Sequence, residues 1–144
     1  MIEKTLLIVK PDAVKRGLVE EVSRRIEAGG LKVSRAKEMT IPLGLAREHY
    51  AEHEGKPFFD GLIKYMTSGP VVLAVAEGEE AVSRAREMMG PTDPSKAGAG
   101  TIRGDLKQEN YINEDGIIQN LVHGSDSSAS AEREISIFYQ GEKE

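Results

Sequence analysis

The sequence contains no cysteine, which excludes disulfides, thiolate metal sites and cysteine nucleophiles. It also lacks an apolar run near the roughly eighteen residues of a membrane-spanning helix, so no membrane partner is expected. Acidic residues outnumber basic ones by 24 to 19, and the net charge of −5 argues against a protein that wraps nucleic acid. These features, together with a start that lacks a signal-peptide pattern, predict a cytoplasmic location.

The composition is that of an ordinary globular domain. The chain has 144 residues, of which 39% are apolar and 30% are charged, and this is enough to form a real core. No internal repeat, low-complexity stretch or linker divides the sequence. We therefore expect one domain over residues 1–144.

Apolar periodicity predicts the order strand, helix, strand, two helices, strand, helix, long loop, strand and helix. The predicted strands cover about 5–9, 31–39, 70–76 and 117–122. The predicted helices begin near Pro11, Pro42, Pro57, Glu79 and Ser128, and Ala131, Ile135 and Phe138 of the last helix are expected to face inward. This order predicts an α/β fold (an α+β sandwich) with a ferredoxin-like βαββαβ core, an antiparallel four-stranded sheet, an extra helical pair and a C-terminal helix. Loops as long as 90–116 are usually functional.

His123 is the most informative candidate for a reactive residue. It follows the apolar residues 117–118 and 121–122, and Gly124-Ser125-Asp126 predicts a turn immediately after it. A side chain at the rim of a strand is well placed to present a reactive group, and histidine is a good nucleophile when uncharged. The alternative is a histidine that only packs at the edge of the core.

Basic residues at the ends of predicted elements favour the interpretation of His123 as a nucleophile. Lys10 follows the first strand, Arg86 lies on the helix after the 70–76 strand, and Arg103 lies in the long loop. Such cations are what phosphoryl chemistry needs next to a nucleophile. The chain has no Walker-type loop, because residues 95–97 lack the required Gly-Lys-Ser/Thr.

A second hypothesis is a zinc hydrolase. His49-Tyr50-Ala51-Glu52-His53 fits the pattern H-x-x-E-H, in which two histidines on one helix face share a metal and the glutamate acts as base. No obvious further ligand follows downstream, so an ordinary helix surface is the favoured interpretation of this segment. A third hypothesis is a binding or regulatory module with a ferredoxin-like fold and no turnover.

Eight segments occur in an order that resembles the nucleoside diphosphate kinase family: 9–12, 16–19, 49–50, 56–59, 65–72, 89–94, 100–105 and 123–127. The resemblance runs from Thr5 to about Tyr139. It implies ping-pong transfer of the γ-phosphate from a nucleoside triphosphate such as ATP to a nucleoside diphosphate, through a phosphohistidine on His123. It also implies Mg²⁺ held through the nucleotide phosphates without protein ligands, and a homo-oligomer, either a tetramer or a hexamer.

The resemblance further implies a role for each matching residue. Lys10 and Asn120 would bind the sugar hydroxyls, with Lys10 also near the transferred phosphate. The phosphates would be held by Tyr50, Arg86, Thr92 and Arg103. Phe58 would stack on the base, and Leu62 would support the side chain of Phe58. Glu134 and Ser125 would orient the ring of His123.

The sequence departs from the family pattern between Asp105 and Asn120, where it has several additional residues. Residues 107–116 are mostly polar, so we expect a projecting, mostly solvated excursion that supplies no catalytic group. The segment 113–116 is rich in turn formers and predicts a hairpin tip. Tyr111 and Ile112 could instead pack on a neighbouring subunit or cover the base.

Overall fold

Four strands form one antiparallel sheet in the computed structural model, which describes residues 2–139. They are β1 (Ile2–Val9), β2 (Lys32–Met39), β3 (Val71–Glu79) and β4 (Val122–Gly124), in the spatial order β2-β3-β1-β4. Every neighbouring pair is antiparallel, and β1 pairs with β3 along its whole length. The predicted α+β fold with a ferredoxin-like sheet is therefore confirmed.

Seven α-helices accompany the sheet in the described part of the chain: α1 (Pro11–Lys15), α2 (Val19–Ala28), α3 (Leu43–His49), α4 (Phe59–Met66), α5 (Ala81–Met89), α6 (Ile102–Leu106) and α7 (Ser128–Phe138). Two short 3₁₀ turns lie at Ala51–His53 and Pro94–Lys96. The predicted helical pair corresponds to α3 and α4, and the predicted C-terminal helix corresponds to α7.

The first predicted helix is divided in two. α1 ends at Lys15, and Gly17 takes a positive φ of 72°, which lies outside the helical range. Val22 and Ile26 of α2 are fully buried, and Leu18 packs at the edge of the same cluster. The periodicity thus predicted the buried face but not the break.

α6 lies inside the segment that the sequence predicted as a long loop. It has five residues, too few to give an apolar periodicity. Its start is instead specified by a side-chain cap, because the hydroxyl of Thr101 accepts a hydrogen bond from the backbone N–H of Gly104 at 3.0 Å.

The sheet carries a hydrophobic cluster on each face. Alternate residues of β1 point to opposite faces, so Leu6 and Ile8 contribute to one cluster, and Leu7 and Val9 contribute to the other. The first cluster includes residues of α3, α4 and α7, and the second includes residues of α1, α2, α5 and α6. β1 is therefore buried on both sides, and the strand β4 beside it is held by a rigid core.

The apolar run before His123 is not one strand, and this part of the prediction is wrong. Ile118 pairs with Ile112 in an isolated antiparallel bridge, whereas β4 begins only at Val122 and includes His123 itself. Between them Leu121 has a φ of 75°, which breaks the extended conformation. This conformation is fixed by two long-range hydrogen bonds, from the Leu121 N–H to Asp12 Oδ2 at 3.1 Å and from the Lys10 N–H to the Leu121 carbonyl at 2.8 Å.

Residues 111–119 form the predicted hairpin, and most of the segment 107–116 is exposed as expected, although the hairpin also contacts α4. Its tip is closed by Asn113, whose Oδ1 accepts hydrogen bonds from the N–H groups of residues 115 and 117. One side packs on α4, because Ile117 is buried close to Gly61, and Asp115 Oδ2 lies 3.2 Å from Lys64 Nζ. Ile112 on the other side is 54% exposed.

Within residues 2–139, no helix has the length and apolar character that crossing a membrane would require. The cytoplasmic location and the domain bounds at 1–144 stay predictions.

Candidate functional site

His123 is held in a fixed orientation by a carboxylate. It lies in β4 opposite Ile8 of β1, and its Nε2 is 2.8 Å from Oε1 of Glu134. The hydroxyl of Ser125 donates to the same oxygen at 2.7 Å and accepts from the backbone N–H of Leu6 at 3.2 Å. The imidazole is therefore tied through Glu134 and Ser125 to the central strand of the sheet.

The protonation of Glu134 decides which ring nitrogen of His123 carries the proton. Burial alone would raise the pKa of Glu134, but the hydrogen bonds from His123 and Ser125 lower it below its usual value. An ionised carboxylate only accepts hydrogen bonds, so Nε2 of His123 carries the proton that it donates. In the neutral ring the lone pair then lies on Nδ1, the nitrogen that is free to attack a substrate.

α7 places Glu134 next to the imidazole ring of His123. The helix begins after Ser127, whose hydroxyl accepts from the N–H of Ser130 at 3.1 Å. Ala131 and Phe138 are buried as predicted, whereas Ile135 is only partly buried, and Glu134 is buried on the inward face. A glutamate at helical spacing from two core residues is the sequence signal for this position.

Lys10 and Asn120 meet although they are far apart in the sequence. Lys10 Nζ donates to Asn120 Oδ1 at 2.6 Å, and Asn120 Nδ2 donates to the carbonyl oxygen of Thr92 at 3.0 Å. Burial and the charge of Arg103 lower the pKa of Lys10 to about 7, against a smaller opposing effect of Asp12. An anion placed next to Lys10 would restore its positive charge.

The two arginines differ in how they are anchored. Arg103 is buried and donates to three backbone carbonyl oxygens, those of Asn120 (3.1 Å), Gly90 (2.8 Å) and Val122 (2.7 Å). Burial and the charge of Arg86 lower the pKa of Arg103 to about 10, so it remains a cation at neutral pH. The side chain of Arg86 is 48% exposed and forms an ion pair with Asp126 at 2.7 Å.

Tyr50 presents a buried hydroxyl to the site. Its oxygen has no hydrogen-bond partner among the described residues, and burial raises its pKa well above the usual value. The hydroxyl is therefore protonated and can donate a hydrogen bond to a bound anion.

One cavity of about 200 Å³ collects most of the predicted site residues. Its lining includes Lys10, Tyr50, Arg86, Thr92, Arg103, Asn120, His123 and Glu134. Phe58, Leu62 and Ser125 do not line it. Phe58 is 43% exposed and lies just before α4, with its ring 5.4 Å from that of His53, whereas Leu62 packs against the core.

Two supporting residues escaped the sequence analysis. Tyr65 donates a short hydrogen bond to Asp12, and the same carboxylate accepts from the N–H of Leu121. Asp12 thereby fixes the corner where Lys10 and Leu121 meet. Asp12 lies in one of the segments that resemble the family, but its position in the first turn of a helix indicated only a favourable interaction with the helix dipole.

His49 is a buried neighbour of His123, and the expectation of a helix surface is wrong for this residue. The two imidazole rings are 5.0 Å apart in an edge-to-face arrangement. α3 ends at His49, and His53 lies in the following 3₁₀ turn, so the two histidines of the H-x-x-E-H pattern do not share one α-helix. The two-histidine helix site of the alternative zinc hydrolase hypothesis is therefore not formed.

A cavity lined by cations, next to a histidine with a carboxylate on its other nitrogen, defines a protein that can bind an anionic substrate and attack it. Residues 3–143 match the family model described as nucleoside diphosphate kinase. The chain belongs to the nucleoside diphosphate kinase family, and it is an enzyme of nucleotide phosphoryl transfer. The alternative of a module without turnover is not supported.

Similar proteins occur in several organisms. The nucleoside diphosphate kinase of Hydrogenovibrio crunogenus is 51% identical over 139 residues, which cover 96% of this chain and 94% of that protein. Two solved structures have a TM-score of 0.87: one from Halobacterium salinarum in complex with CDP, 48% identical, and one from Borrelia burgdorferi, 39% identical. The latter is a transition-state mimic with bound vanadate and ADP. The matches cover 97% of this chain in both cases, and 89% and 88% of those chains, respectively. Nucleotide kinases of this family generally need a divalent metal.

Proposed function

We propose that this chain transfers the γ-phosphoryl group of a nucleoside triphosphate to a nucleoside diphosphate through a phosphohistidine on Nδ1 of His123. The observation that supports this route most strongly is the 2.8 Å contact between Nε2 and Glu134. This contact keeps the proton on Nε2 and leaves the Nδ1 lone pair available for attack on phosphorus.

The reaction has two balanced halves. In the first, the Nδ1 lone pair forms a bond to the γ-phosphorus, the bond from that phosphorus to the β–γ bridging oxygen breaks, and the nucleoside diphosphate leaves. The ring becomes positively charged, and ionised Glu134 stabilises that charge through the Nε2 proton. In the second half, a terminal oxygen of another nucleoside diphosphate attacks the phosphohistidine, and Nδ1 recovers its lone pair.

The cations and hydroxyls of the cavity stabilise the transferred group. Arg103 and Arg86 bind the oxygens on which charge develops, and the hydroxyls of Tyr50 and Thr92 donate to the phosphates. Because Arg103 is already held by three backbone carbonyls, its guanidinium requires little reorganisation during the reaction.

Lys10 and Asn120 form the part of the site that recognises the sugar. Their 2.6 Å hydrogen bond places an amine and an amide side by side, and both can bind sugar hydroxyls. Phe58 stacks on the base with Leu62 behind it, and stacking does not distinguish strongly among bases, because each has a π face. We therefore expect purine and pyrimidine nucleotides to be accepted, as ribose and deoxyribose forms.

Mg²⁺ fits this site as part of the substrate. Two of the three carboxylates that line the cavity are already engaged, Glu134 by His123 and Ser125, and Asp126 by Arg86. Mg²⁺ would neutralise charge on the phosphate oxygens, and it would enter with the nucleotide rather than be held by a cage of carboxylates.

Assembly into a homo-oligomer, a tetramer or a hexamer, is also part of the proposal. Within the described residues β2 pairs with β3 on one side only, so its second edge is open to another chain. Light scattering on the purified protein gives the mass directly: a monomer at micromolar concentration would contradict this assembly.

The covalent intermediate gives the test of function. The protein is mixed with Mg²⁺ and ATP labelled in the γ-phosphate, and the chain is then separated from nucleotide. We expect a label that is stable in alkali, labile in acid and released on adding a nucleoside diphosphate. His123→Ala must lose the label, and His53→Gln serves as a control variant that keeps it. Absence of label on the wild-type protein while transfer proceeds would contradict the covalent route.

A further inference from the structure

A cluster of potential metal ligands lies at the base of the cavity. Among the described residues, His49, His123 and Glu134 are the one group of three whose ligand atoms all lie within 4.8 Å of one another. Two imidazoles and a carboxylate form the donor set of many zinc sites, whereas Mg²⁺ prefers oxygen ligands alone. Zinc–ligand bonds of about 2.0–2.2 Å would draw these atoms slightly closer together.

His49 is the unusual member of this cluster. Both of its ring nitrogens are buried and have no hydrogen-bond partner among the described residues, although its side chain is only 3% exposed. Buried polar atoms are normally satisfied, so an orphaned imidazole that faces two further ligands indicates a bound partner.

We propose that His49, His123 and Glu134 form an inhibitory site for a divalent transition metal of the zinc class. The ligands come from three elements, namely the end of α3, the middle of β4 and the inward face of α7. The site uses only the first histidine of the H-x-x-E-H segment, because His53 lies beyond the end of α3.

Inhibition follows from which groups the metal occupies. A metal on Nδ1 of His123 takes the lone pair that attacks phosphorus. A metal on Nε2 displaces the proton that this nitrogen donates to Glu134, so the carboxylate no longer stabilises the charged ring. The inhibitory part of this inference rests on the proposed function of His123, whereas the binding of metal does not.

Metal binding is tested first, on the full chain without nucleotide or Mg²⁺. Titration with Zn²⁺ should give one equivalent per chain, and Co²⁺ should give the visible absorption bands of a low-symmetry nitrogen and oxygen site. His49→Gln and Glu134→Gln should each weaken Zn²⁺ binding by at least about tenfold, since each removes a ligand. His53→Gln is the matched control and should bind as the wild type does.

The outcomes separate the proposed site from adventitious binding. Loss of binding in His53→Gln but not in His49→Gln would overturn the site, and so would the absence of saturable binding to the wild type. The ligand variants come from different helices, so a folding defect in one leaves the other decisive. If both variants unfold, the test uses wild-type protein that carries the phosphoryl label on His123. This protein should bind Zn²⁺ at least about tenfold more weakly than unlabelled protein. Equal binding by the two forms would overturn the site.

Inhibition is then measured with Mg²⁺ in large excess over Zn²⁺. Zn²⁺ should inhibit the wild type and His53→Gln over the range in which it binds, and a zinc-selective chelator should restore the rate. The remaining rate of His49→Gln should resist the same concentrations. Equal sensitivity of His49→Gln would place the inhibition elsewhere and overturn the proposal. If the wild type binds Zn²⁺ as expected but forms no phosphoenzyme, the proposed function fails and the metal site stands.

Discussion

The floor and the rim of the cavity are built in different ways. The floor consists of Lys10, Arg103, Asn120, His123 and Glu134, all of which are buried or nearly so and bonded to one another or to the backbone. The rim consists of Arg86 and Thr92, with Phe58 just outside the cavity, and all three residues are exposed. The difference indicates that the floor is fixed in position before a substrate binds, whereas the side chains of the rim are held by fewer contacts with the rest of the protein.

The largest expected effect is on the floor. His123→Ala should lower kcat by at least about 10⁴-fold, because the covalent route is lost altogether. The chain should still fold, since the side chain of His123 is 17% exposed and packs at the end of the sheet rather than in its centre. Steady-state rates and circular dichroism test both statements. A folded variant with more than a tenth of the wild-type rate would contradict the assignment.

The two arginines give the sharpest comparison between floor and rim. Arg86→Ala and Arg103→Ala should each lower kcat by roughly 10²–10³-fold, if both act on transition-state charge. Only Arg103→Ala should also destabilise the fold, by about 2 kcal/mol or more, because three backbone carbonyls lose their donor. Arg86→Ala removes one exposed ion pair and should change the free energy of unfolding by less than about 0.5 kcal/mol. An equal loss of stability in both variants would contradict the distinction between a rigid floor and an exposed rim.

The lowered pKa of Lys10 makes nucleotide binding dependent on pH. In the free enzyme this pKa is about 7, and the phosphates of a bound nucleotide raise it, so binding takes up a proton. Affinity for a nucleoside diphosphate should therefore fall as the pH rises through about 7. Calorimetry in buffers of different ionisation enthalpy measures the uptake. Lys10→Met should lose this contribution, and the exposed-site control Lys107→Met should keep it.

Phe58 should give a smaller effect, which is confined to binding. Phe58→Ala removes a stacking surface that is 43% exposed, so KM should rise by roughly tenfold with kcat little changed. The rise should be similar for purine and pyrimidine substrates. A change in kcat larger than the change in KM would mean that Phe58 belongs functionally to the floor.

The sequence predicted this fold well because its apolar residues follow regular periods. The buried faces of α2 and α5 follow from helical spacing, and the buried strands β1 and β3 follow from short apolar runs. The breaks at Gly17 and Leu121 were not predicted from the sequence, because each depends on one positive φ or on a contact with a residue distant in sequence. The same limit applies to the hairpin, whose turn was predictable but whose packing on α4 was not.

The site was predicted residue by residue through motifs rather than through periodicity. Spacing alone could only indicate that Glu134 faces inward, and its pairing with His123 came from the family resemblance. Spacing could not bring Lys10 to Asn120, since that contact joins two distant turns. It also misplaced His49, because a polar residue near the end of a short helix gives no sign of burial.

The central claim is that Glu134 fixes the ring so that Nδ1 of His123 carries the phosphoryl group. It is tested most directly by ³¹P–¹⁵N NMR on the phosphorylated chain with labelled histidine, which distinguishes the two ring nitrogens. We expect coupling of the phosphorus to Nδ1 of His123, with the proton retained on Nε2. A phosphoryl group on Nε2, or on either of the other two histidines, would contradict the account.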